Sequence, residues 1–221
     1  MRFTTSCRAC PRLANFLDEV RAARPAYHAL PVASFGAAAA HFLIVGLAPG
    51  MHGANRTGRP FTGDHAGGLL YSTLHQFGYA SVPAPLDAQG NANAAMKLHD
   101  CRITNAVRCL PPQNKPEPGE VRQCNTYLAD ELATLPQGAV VLALGTIAHQ
   151  AVLRALALRI SDHAFAHGAE HDLPNGLKLY DSYHCSRYNT QTRRLTPAMF
   201  HEVFSAITGY LSAIETSRIR S

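Results

Sequence analysis

Apolar and polar positions occur in blocks along this chain, and the blocks predict alternating strands and helices. Continuous apolar runs are typical of strands buried on both faces of a sheet, and they predict strands over residues 41–48, 101–107, 139–144 and 177–183. Apolar positions at helical spacing predict helices over residues 7–23, 68–77, 119–135, 146–158 and 196–214. Ser6 is expected to cap the first helix, and Thr196, followed by Pro197, is expected to cap the last.

The order of these elements predicts the architecture. Strands that alternate with helices are typical of a mainly parallel sheet covered on both faces. We therefore expect a three-layer α/β/α sandwich around a four-stranded, mainly parallel central sheet. Segments 26–39 and 81–94 are rich in Pro and Ala and are expected to be loops. Residues 1–221 show no repeat or linker, so we expect one domain in which 215–221 form a frayed tail.

Composition places the chain among ordinary globular proteins with a mild basic excess. Of its 221 residues, 47% are hydrophobic and 16% are charged, and the formal charge is +5. This excess is compatible with a polyanionic partner and equally with a surface tuned for solubility. No segment approaches the roughly 20 apolar residues of a membrane span, and the first residues lack the apolar core of a signal peptide. We therefore expect a cytoplasmic protein without disulfides that does not bind membranes.

Four of the six cysteines have a spacing that predicts a metal centre. Cys7 and Cys10 form a Cys-x-x-Cys pair near the N-terminus, and Cys109 and Cys124 flank a proline-rich segment far downstream. Four thiolates suit either an iron–sulfur cluster or zinc, and both remain open from the residues alone. Either would fasten the N-terminus to the domain.

Polar, chemically capable segments follow three of the predicted strands. They span residues 48–64, 105–109 and 184–196, and between them they contain Asn, His, Asp and Arg. Ligands of open parallel sheets bind at the carboxyl ends of the strands. We therefore expect these three loops to meet at one site.

Motifs in these loops resemble the uracil-DNA glycosylase superfamily, and most closely its iron–sulfur members of family 5, the B type. The matching segments are the Cys-x-x-Cys start, Gly-Leu-Ala-Pro-Gly at 46–50, Gly-Arg-Pro-Phe-Thr-Gly-Asp at 58–64, Thr-Asn-Ala-Val-Arg-Cys-Leu-Pro-Pro at 104–112, Cys124, His-Cys-Ser at 184–186, Asn-Thr-Gln-Thr at 189–192 and Arg-Leu-Thr at 194–196. The resemblance covers nearly the whole chain. It implies an α/β/α sandwich, removal of damaged bases from DNA, and a structural [4Fe–4S] cluster on Cys7, Cys10, Cys109 and Cys124.

The resemblance also implies roles for residues around the base. Asp64 is the expected catalytic carboxylate that handles water; the alternative is a cap of the following helix, and the two roles can coexist. His184 is the second expected catalytic residue, donating a hydrogen bond to the leaving base or to a flanking phosphate. The expected base-binding residues are Gly46, Phe61, Asn105 and Asn189.

Contacts to DNA are expected from basic residues in the same loops. Arg56 and Arg59 lie in the glycine-rich loop and can offer charge to phosphates. By the resemblance, the loop with Arg187, Tyr188, Arg193 and Arg194 enters the minor groove, where Arg187 or Tyr188 fills the gap left by the base. The chain departs from the family at two positions: Arg193 stands where glycine is expected, and Cys185 where proline is usual.

A row of histidines lies outside these motifs. His163, His167 and His171 recur at every fourth residue, as on a helical metal-binding face. Gly168 and Pro174 argue against a sustained helix there. We therefore expect no metal on this face. The role of His52, inside the first motif, stays open.

We expect a monomeric, nucleoid-associated enzyme of base-excision repair that acts on DNA containing deaminated bases. It would flip uracil out of the duplex and hydrolyse its glycosidic bond without lyase activity, because no lysine stands in the motifs. The apolar Leu47 and Ala48, together with the resemblance to the B type, imply room for hypoxanthine or xanthine as well. The alternatives are a non-catalytic iron–sulfur sensor of damaged or single-stranded DNA and a zinc-stapled nucleotide hydrolase.

Overall fold

A six-stranded sheet lies at the centre of the molecule, whose computed structural model describes residues 3–219. The strands are β1 (Phe35–Gly36), β2 (Phe42–Gly46), β3 (Cys101–Asn105), β4 (Val140–Leu144), β5 (Glu170–Asp172) and β6 (Lys178–Ser182). The α-helices are α1 (Pro11–Ala23), α2 (Ala54–Thr57), α3 (His65–Gln76), α4 (Pro118–Ala133), α5 (Thr146–Ala155), α6 (Arg187–Gln191) and α7 (Pro197–Ile219). The order across the sheet is β1-β3-β2-β4-β6-β5.

The sheet confirms the predicted fold class but has six strands, so the expected number of four is wrong. The inner strands β3, β2, β4 and β6 are parallel and correspond to the four predicted runs. The two additional strands are short antiparallel edges, β1 on β3 and β5 on β6. Two or three residues are too short to show strand periodicity, and β5, Glu-His-Asp, carries no apolar residue at all.

Side chains of the parallel strands alternate between two apolar layers. Leu43, Val141 and Leu179 face one layer, which also contains apolar residues of α1, α4 and α5. Phe42 and Leu142 face the other layer, formed with α3 and α7. Because helices cover both faces, β2 and β4 are buried along their whole length, which explains their unbroken apolar runs.

Two helices begin three or four residues away from the predicted position, and each difference has a local cause. α1 begins at Pro11 rather than at residue 7, with Cys10 as its N-cap. Proline suits the first helical position but not the interior, where its ring would clash with the preceding turn. α3 begins at His65 rather than at Gly68, because the side chain of Asp64 caps it.

The end of the chain is helical further than expected. α7 begins after Thr196, whose Oγ1 accepts a hydrogen bond from the Met199 backbone N at 3.2 Å, and continues to Ile219. Of the tail expected over 215–221, the last two residues lie outside the described residues. Within residues 3–219, no helix combines the length and apolar character needed to cross a bilayer.

Candidate active site

Three loops meet at one cleft beyond the carboxyl ends of the parallel strands. They follow β2, β3 and β6, the arrangement expected for a ligand site in an open parallel sheet. The cleft has a volume of about 420 Å³, within the usual range for small-molecule sites. Its lining includes Leu47, Ala48, Gly50, Ala54, Phe61, Asp64, His65, Asn105, Asn114, His184, Ser186 and Arg187. Asp64, His184, Phe61 and Asn105 therefore share one cleft.

Asp64 lines this cleft from the first turn of α3. Its Oδ1 accepts a hydrogen bond from the Gly67 backbone N at 2.9 Å, so the side chain caps the helix. Burial raises the pKa of Asp64 above its ordinary value, although hydrogen bonds from the Gly67 and Ala66 backbone and the charge of His65 oppose the shift. A carboxylate with a raised pKa is a better proton acceptor than an ordinary aspartate.

Phe61 and His184 form one wall of the cleft. Their rings are stacked, with centroids 5.8 Å apart and planes inclined by 29°. Phe61 has a φ of +53°, which is uncommon for a bulky residue and typical of a site where the surroundings impose the backbone conformation. Burial lowers the pKa of His184 to about 4. At neutral pH its imidazole is therefore uncharged and has one N–H to donate.

Gly46, the last residue of β2, leaves room for two of these side chains. A Cβ at this position would lie 2.5 Å from Oδ1 of Asn105 and 2.5 Å from Cζ of Phe61. Both distances are far below ordinary van der Waals contact. A residue without a side chain is therefore required for Asn105 and Phe61 to approach each other.

Helix α6, which sequence patterns did not predict, supports the histidine loop. The side chain of Ser186 caps this helix, and the side-chain Nδ2 of Asn189 donates a hydrogen bond to the His184 carbonyl at 2.8 Å. His65 Nε2 lies 3.0 Å from Thr190 Oγ1 and so connects α6 to α3. Asn189 thus holds the loop of His184, and any contact of its own with a base stays a prediction.

Arg56 and Arg59 are engaged by the neighbouring 81–94 loop. Arg56 donates to the carbonyl oxygens of His52 and Gly90, each at 2.9 Å. Arg59 donates to the Asn93 carbonyl at 2.8 Å, and its guanidinium lies over the Phe35 ring. Both arginines therefore hold loops together in this structure, and their contact with phosphates stays a prediction.

The other predicted DNA-binding residues surround the mouth of the cleft or follow α6. Arg187 lines the cleft, and Tyr188 beside it is 69% exposed, which is unusual for a large ring. Arg194 lies over the Tyr183 ring with its Cζ 4.5 Å from the centroid. Arg193 has a φ of +56°, the left-handed conformation that favours glycine, so the loop keeps that backbone conformation with arginine in the place of glycine.

Asn114 is a cleft residue that the sequence analysis missed. It is exposed, with a φ of +58°, and it follows Gln113, whose φ is +55°. Arg12 of α1 donates to the Lys115 carbonyl at 3.3 Å and holds this turn in place. The run Leu-Pro-Pro-Gln-Asn predicts only a proline-rich loop, and the signal in the sequence is Asn114 itself, because asparagine tolerates the left-handed conformation of a turn.

The four predicted ligand cysteines line one apolar cavity between α1, α4 and the loop after β3. Burial, together with the charges of the neighbouring cysteines, raises the pKa of Cys109 to about 12. Burial likewise raises the pKa of Cys124 to about 11, although the Arg108 backbone N–H, 3.3 Å from its Sγ, opposes the shift. Tyr127 Oη lies 3.3 Å from Sγ of Cys7. Four such thiols sharing one cavity fit a metal centre, because a bound metal takes the place of protons that burial would otherwise retain.

Cys101 and Cys185 do not belong to this cavity's set. Both are fully buried, Cys101 in β3 and Cys185 directly after His184. Cys101 therefore packs in the core, as expected.

This chain is similar in sequence to known proteins of one family. The sequence model of the "Uracil DNA glycosylase superfamily" matches residues 33–208. The chain is 48% identical over 204 residues to a type-5 uracil-DNA glycosylase of Thermus thermophilus, covering 90% of this chain and 91% of that protein. It is 40% identical to a type-5 uracil-DNA glycosylase of Mycobacterium leprae over 90% of this chain and 88% of that protein. A type-4 uracil-DNA glycosylase of Pyrobaculum aerophilum is 33% identical, over 53% of this chain and 50% of that protein.

Proposed function

We propose that this chain, which belongs to the uracil DNA glycosylase superfamily and is a uracil-DNA glycosylase, uses Asp64 and His184 to hydrolyse the N-glycosidic bond of a uracil extruded from DNA. The observation that carries the assignment of residues is the meeting of a carboxylate, a neutral imidazole and an aromatic ring in one cleft. Breakage of this bond leaves positive charge on the sugar and negative charge on the base, and the cleft has a group for each.

The extruded base enters the cleft and stacks on Phe61. Aromatic stacking stabilises a flipped base outside the helix. Asn105 stands at the end of β3 beside Gly46, and its amide offers both a donor and an acceptor to the edge of the base. The close packing of Phe61 and Asn105 around Gly46 fixes where the base lies, and so where its glycosidic bond is placed.

Asp64 acts on the sugar side. Its carboxylate holds a water molecule for attack on C1′ and stabilises the positive charge that develops there. The Gly67 backbone hydrogen bond fixes the orientation of the carboxylate before the substrate arrives. Because no lysine stands in the motifs, the reaction ends with an abasic site and free base.

His184 acts on the base side. Its neutral imidazole donates a hydrogen bond to the base, and this bond strengthens as the leaving uracil becomes anionic. The ring stack with Phe61 and the hydrogen bond that Asn189 donates to the His184 carbonyl set the orientation of the imidazole. A neutral donor suits this role because its orientation is already set.

Exposed residues of α6 take the place of the extruded base. Arg187 lines the cleft and its neighbour Tyr188 is exposed, and one of the two fills the gap in the duplex. Arg193 and Arg194, just after α6, supply charge toward the phosphates on the same side.

The substrate range of the cleft extends beyond uracil. Leu47 and Ala48 place apolar side chains along the cleft, so its lining there does not select a single pattern of base hydrogen bonds. We propose that hypoxanthine and xanthine are also removed. Single-turnover assays on duplexes that carry one uracil, hypoxanthine or xanthine test this substrate range, with an unmodified duplex as control.

Tight binding to uracil DNA without abasic product would indicate a non-catalytic sensor instead of an enzyme.

Gly46→Ala is expected to lower the single-turnover rate of uracil excision by about 10²-fold, as a misplacement of about 1 Å does in other enzymes. The added methyl would lie 2.5 Å from Phe61 and Asn105, so both side chains must move. Gly68→Ala is a matched control, because a Cβ at Gly68 meets nothing within 4 Å. Equal rates for Gly46→Ala and wild type would show that the packing of these two residues does not position the base.

We propose that Cys7, Cys10, Cys109 and Cys124 hold a [4Fe–4S] cluster. The cluster supplies a structural cross-link between the N-terminal segment, α4 and the loop after β3. That loop continues to Asn114 at the cleft, and α1 holds it through the bond from Arg12 to Lys115. The cysteine site therefore supports one of the three loops of the cleft rather than the chemistry itself.

Purified protein is expected to be brown and to contain about four iron ions per chain, as a [4Fe–4S] centre requires. Cys124→Ala removes one ligand and should lose most of the iron, measured by elemental analysis and visible absorption. Cys101→Ala, also buried but outside the cavity, should retain it. A colourless protein with one zinc ion on these cysteines would contradict the iron–sulfur assignment.

A further inference from the structure

A second group of metal-ligating side chains lies at the other edge of the sheet. His149 of α5, His171 of β5 and Asp181 of β6 meet there, and each offers one atom that lies within 4.8 Å of the others. Nδ1 of His149 is 2.9 Å from Oδ1 of Asp181, and Nε2 of His171 is 3.3 Å from Oδ2. His163, His167 and His171 do not lie on one helix, in keeping with Gly168 and Pro174 between and after them, and His171 of β5 takes part in this different arrangement.

The group is buried on its inner side and accessible on its outer side. Asp181 has no exposed surface and His149 is 1% exposed, whereas His171 is 14% exposed. A carboxylate that is fully removed from water needs positive charge close by. Each of its two oxygens has a histidine nitrogen as partner, so the positive charge must be either a proton on a histidine or a metal ion.

The hydrogen bond of the second ring nitrogen, Nε2, identifies the tautomer of His149. Nε2 lies 2.9 Å from the His163 carbonyl oxygen, which can only accept, so Nε2 carries a hydrogen. In the neutral ring, Nδ1 then presents its lone pair toward Asp181. Metal-ligating histidines very commonly donate their second N–H to a backbone carbonyl in this way, which fixes the tautomer and the ring orientation.

We propose that Nδ1 of His149, Nε2 of His171 and one carboxylate oxygen of Asp181 bind a zinc ion. In a tetrahedral zinc site with Zn–N distances of about 2.0–2.1 Å, ligand atoms are about 3.3 Å apart. The 2.9 Å distance joins Nδ1 of His149 to Oδ1 of Asp181, and the 3.3 Å distance joins Nε2 of His171 to Oδ2. Because the ligand atoms of all three residues lie within 4.8 Å of one another, small shifts would bring both nitrogens and one oxygen around a single ion. Nitrogen ligands with one carboxylate oxygen are a ligand set that zinc accepts, and the outer side leaves a position for water.

The zinc ion would act as a structural cross-link between three elements. It would join the short edge strand β5 to β6 and to α5, and the carbonyl of His163 would support the site from the preceding loop. Asp181 lies three residues before His184, so the same cross-link would stabilise the strand that carries the catalytic histidine. The ion is separate from the cysteine cavity and has no part in the chemistry.

Without a metal, the group would be a hydrogen-bonded ion pair. Burial lowers the pKa of His149, but the hydrogen bond and charge of Asp181 outweigh it and place the pKa above its ordinary value. His149 would then be an imidazolium that donates to both Asp181 and the His163 carbonyl. Zinc binding replaces the Nδ1 proton of this form, and that exchange can be measured directly.

The test uses iron-loaded protein that has been dialysed against a chelator and then titrated with zinc sulfate in a calorimeter. We expect one zinc ion per chain with the iron content unchanged. The apparent Tm should rise by about 5–10 °C when zinc is present at about 100 times its dissociation constant. His171→Ala should abolish both effects. His99→Ala, which alters an exposed histidine, should preserve them.

Two further measurements keep the outcome decisive. If His171→Ala proves unstable, Asp181→Asn gives the same comparison, since it removes the charged ligand but preserves the size of the side chain. Nitrogen-15 spectra of the histidine rings report whether Nδ1 of His149 loses its hydrogen when zinc is added. Zinc uptake by His171→Ala equal to that of wild type, or a His149 ring protonated at both nitrogens in excess zinc, would overturn the proposal.

Discussion

Asp64→Asn is expected to lower the single-turnover rate of uracil excision by about 10²–10⁴-fold, the range found for removal of a general base. The substitution removes the negative charge that stabilises the developing sugar cation and the oxygen that accepts a proton from water. Asparagine caps a helix about as well as aspartate, so its Oδ1 can still accept the Gly67 backbone hydrogen bond. The fold and the binding of uracil DNA should therefore be nearly unchanged.

Asp87→Asn is the matched control for this experiment. Oδ1 of Asp87 also accepts backbone hydrogen bonds, from Gln89 at 3.0 Å and from Asn91 at 2.8 Å. Unlike Asp64, Asp87 lies in the 81–94 loop and does not line the cleft. Asp87→Asn should excise uracil at the wild-type rate.

Because burial raises the pKa of Asp64, the wild-type rate should rise with pH through that pKa and then level off. A full rate in Asp64→Asn would move the water-activating role to another residue.

His184→Ala is expected to lower the single-turnover rate by about 10²–10³-fold, as the loss of one donor to a developing oxyanion does in other enzymes. The leaving uracil then carries its negative charge without a hydrogen bond from the cleft. Since the pKa of His184 is about 4, wild type should show no loss of rate from deprotonation of this ring between pH 6 and 8. Rates are measured at saturating enzyme, so that weaker DNA binding does not enter the comparison.

A better leaving group separates the two possible contacts of His184. 5-Fluorouracil leaves as a more stable anion, so its excision should depend less on the donor, and His184→Ala should slow it less than it slows uracil. If the histidine contacts a phosphate instead, both bases should be slowed by the same factor. Equal factors would therefore contradict the role proposed here.

Much of the fold follows from local pattern. β2 and β4 are buried on both faces, and an unbroken apolar run is the sequence pattern typical of such strands. The same patterns place Asp64, Asn105 and His184 after strand ends, and the geometry of a parallel sheet then brings them to one edge. The convergence of the three loops was therefore accessible from the residues, before any tertiary contact was known.

Other features depend on contacts between segments far apart in the chain. The edge strands β1 and β5 exist because β3 and β6 offer them backbone hydrogen bonds, and their own residues carry no strand signal. Arg56 and Arg59 are arginines in a glycine-rich loop, and only packing shows that they bind carbonyls of the 81–94 loop.

The group of His149, His171 and Asp181 shows most clearly that sequence patterns do not predict contacts between distant segments. Its members lie on α5, β5 and β6, and the four-residue spacing of His163, His167 and His171 does not indicate that His171 meets His149 and Asp181. The sequence by itself determined the layers, the parallel strands and the segments that surround the cleft, because periodicity and burial are local properties. Tertiary structure alone decided that His149, His171 and Asp181 meet, because that depends on packing between residues up to 32 positions apart in the chain.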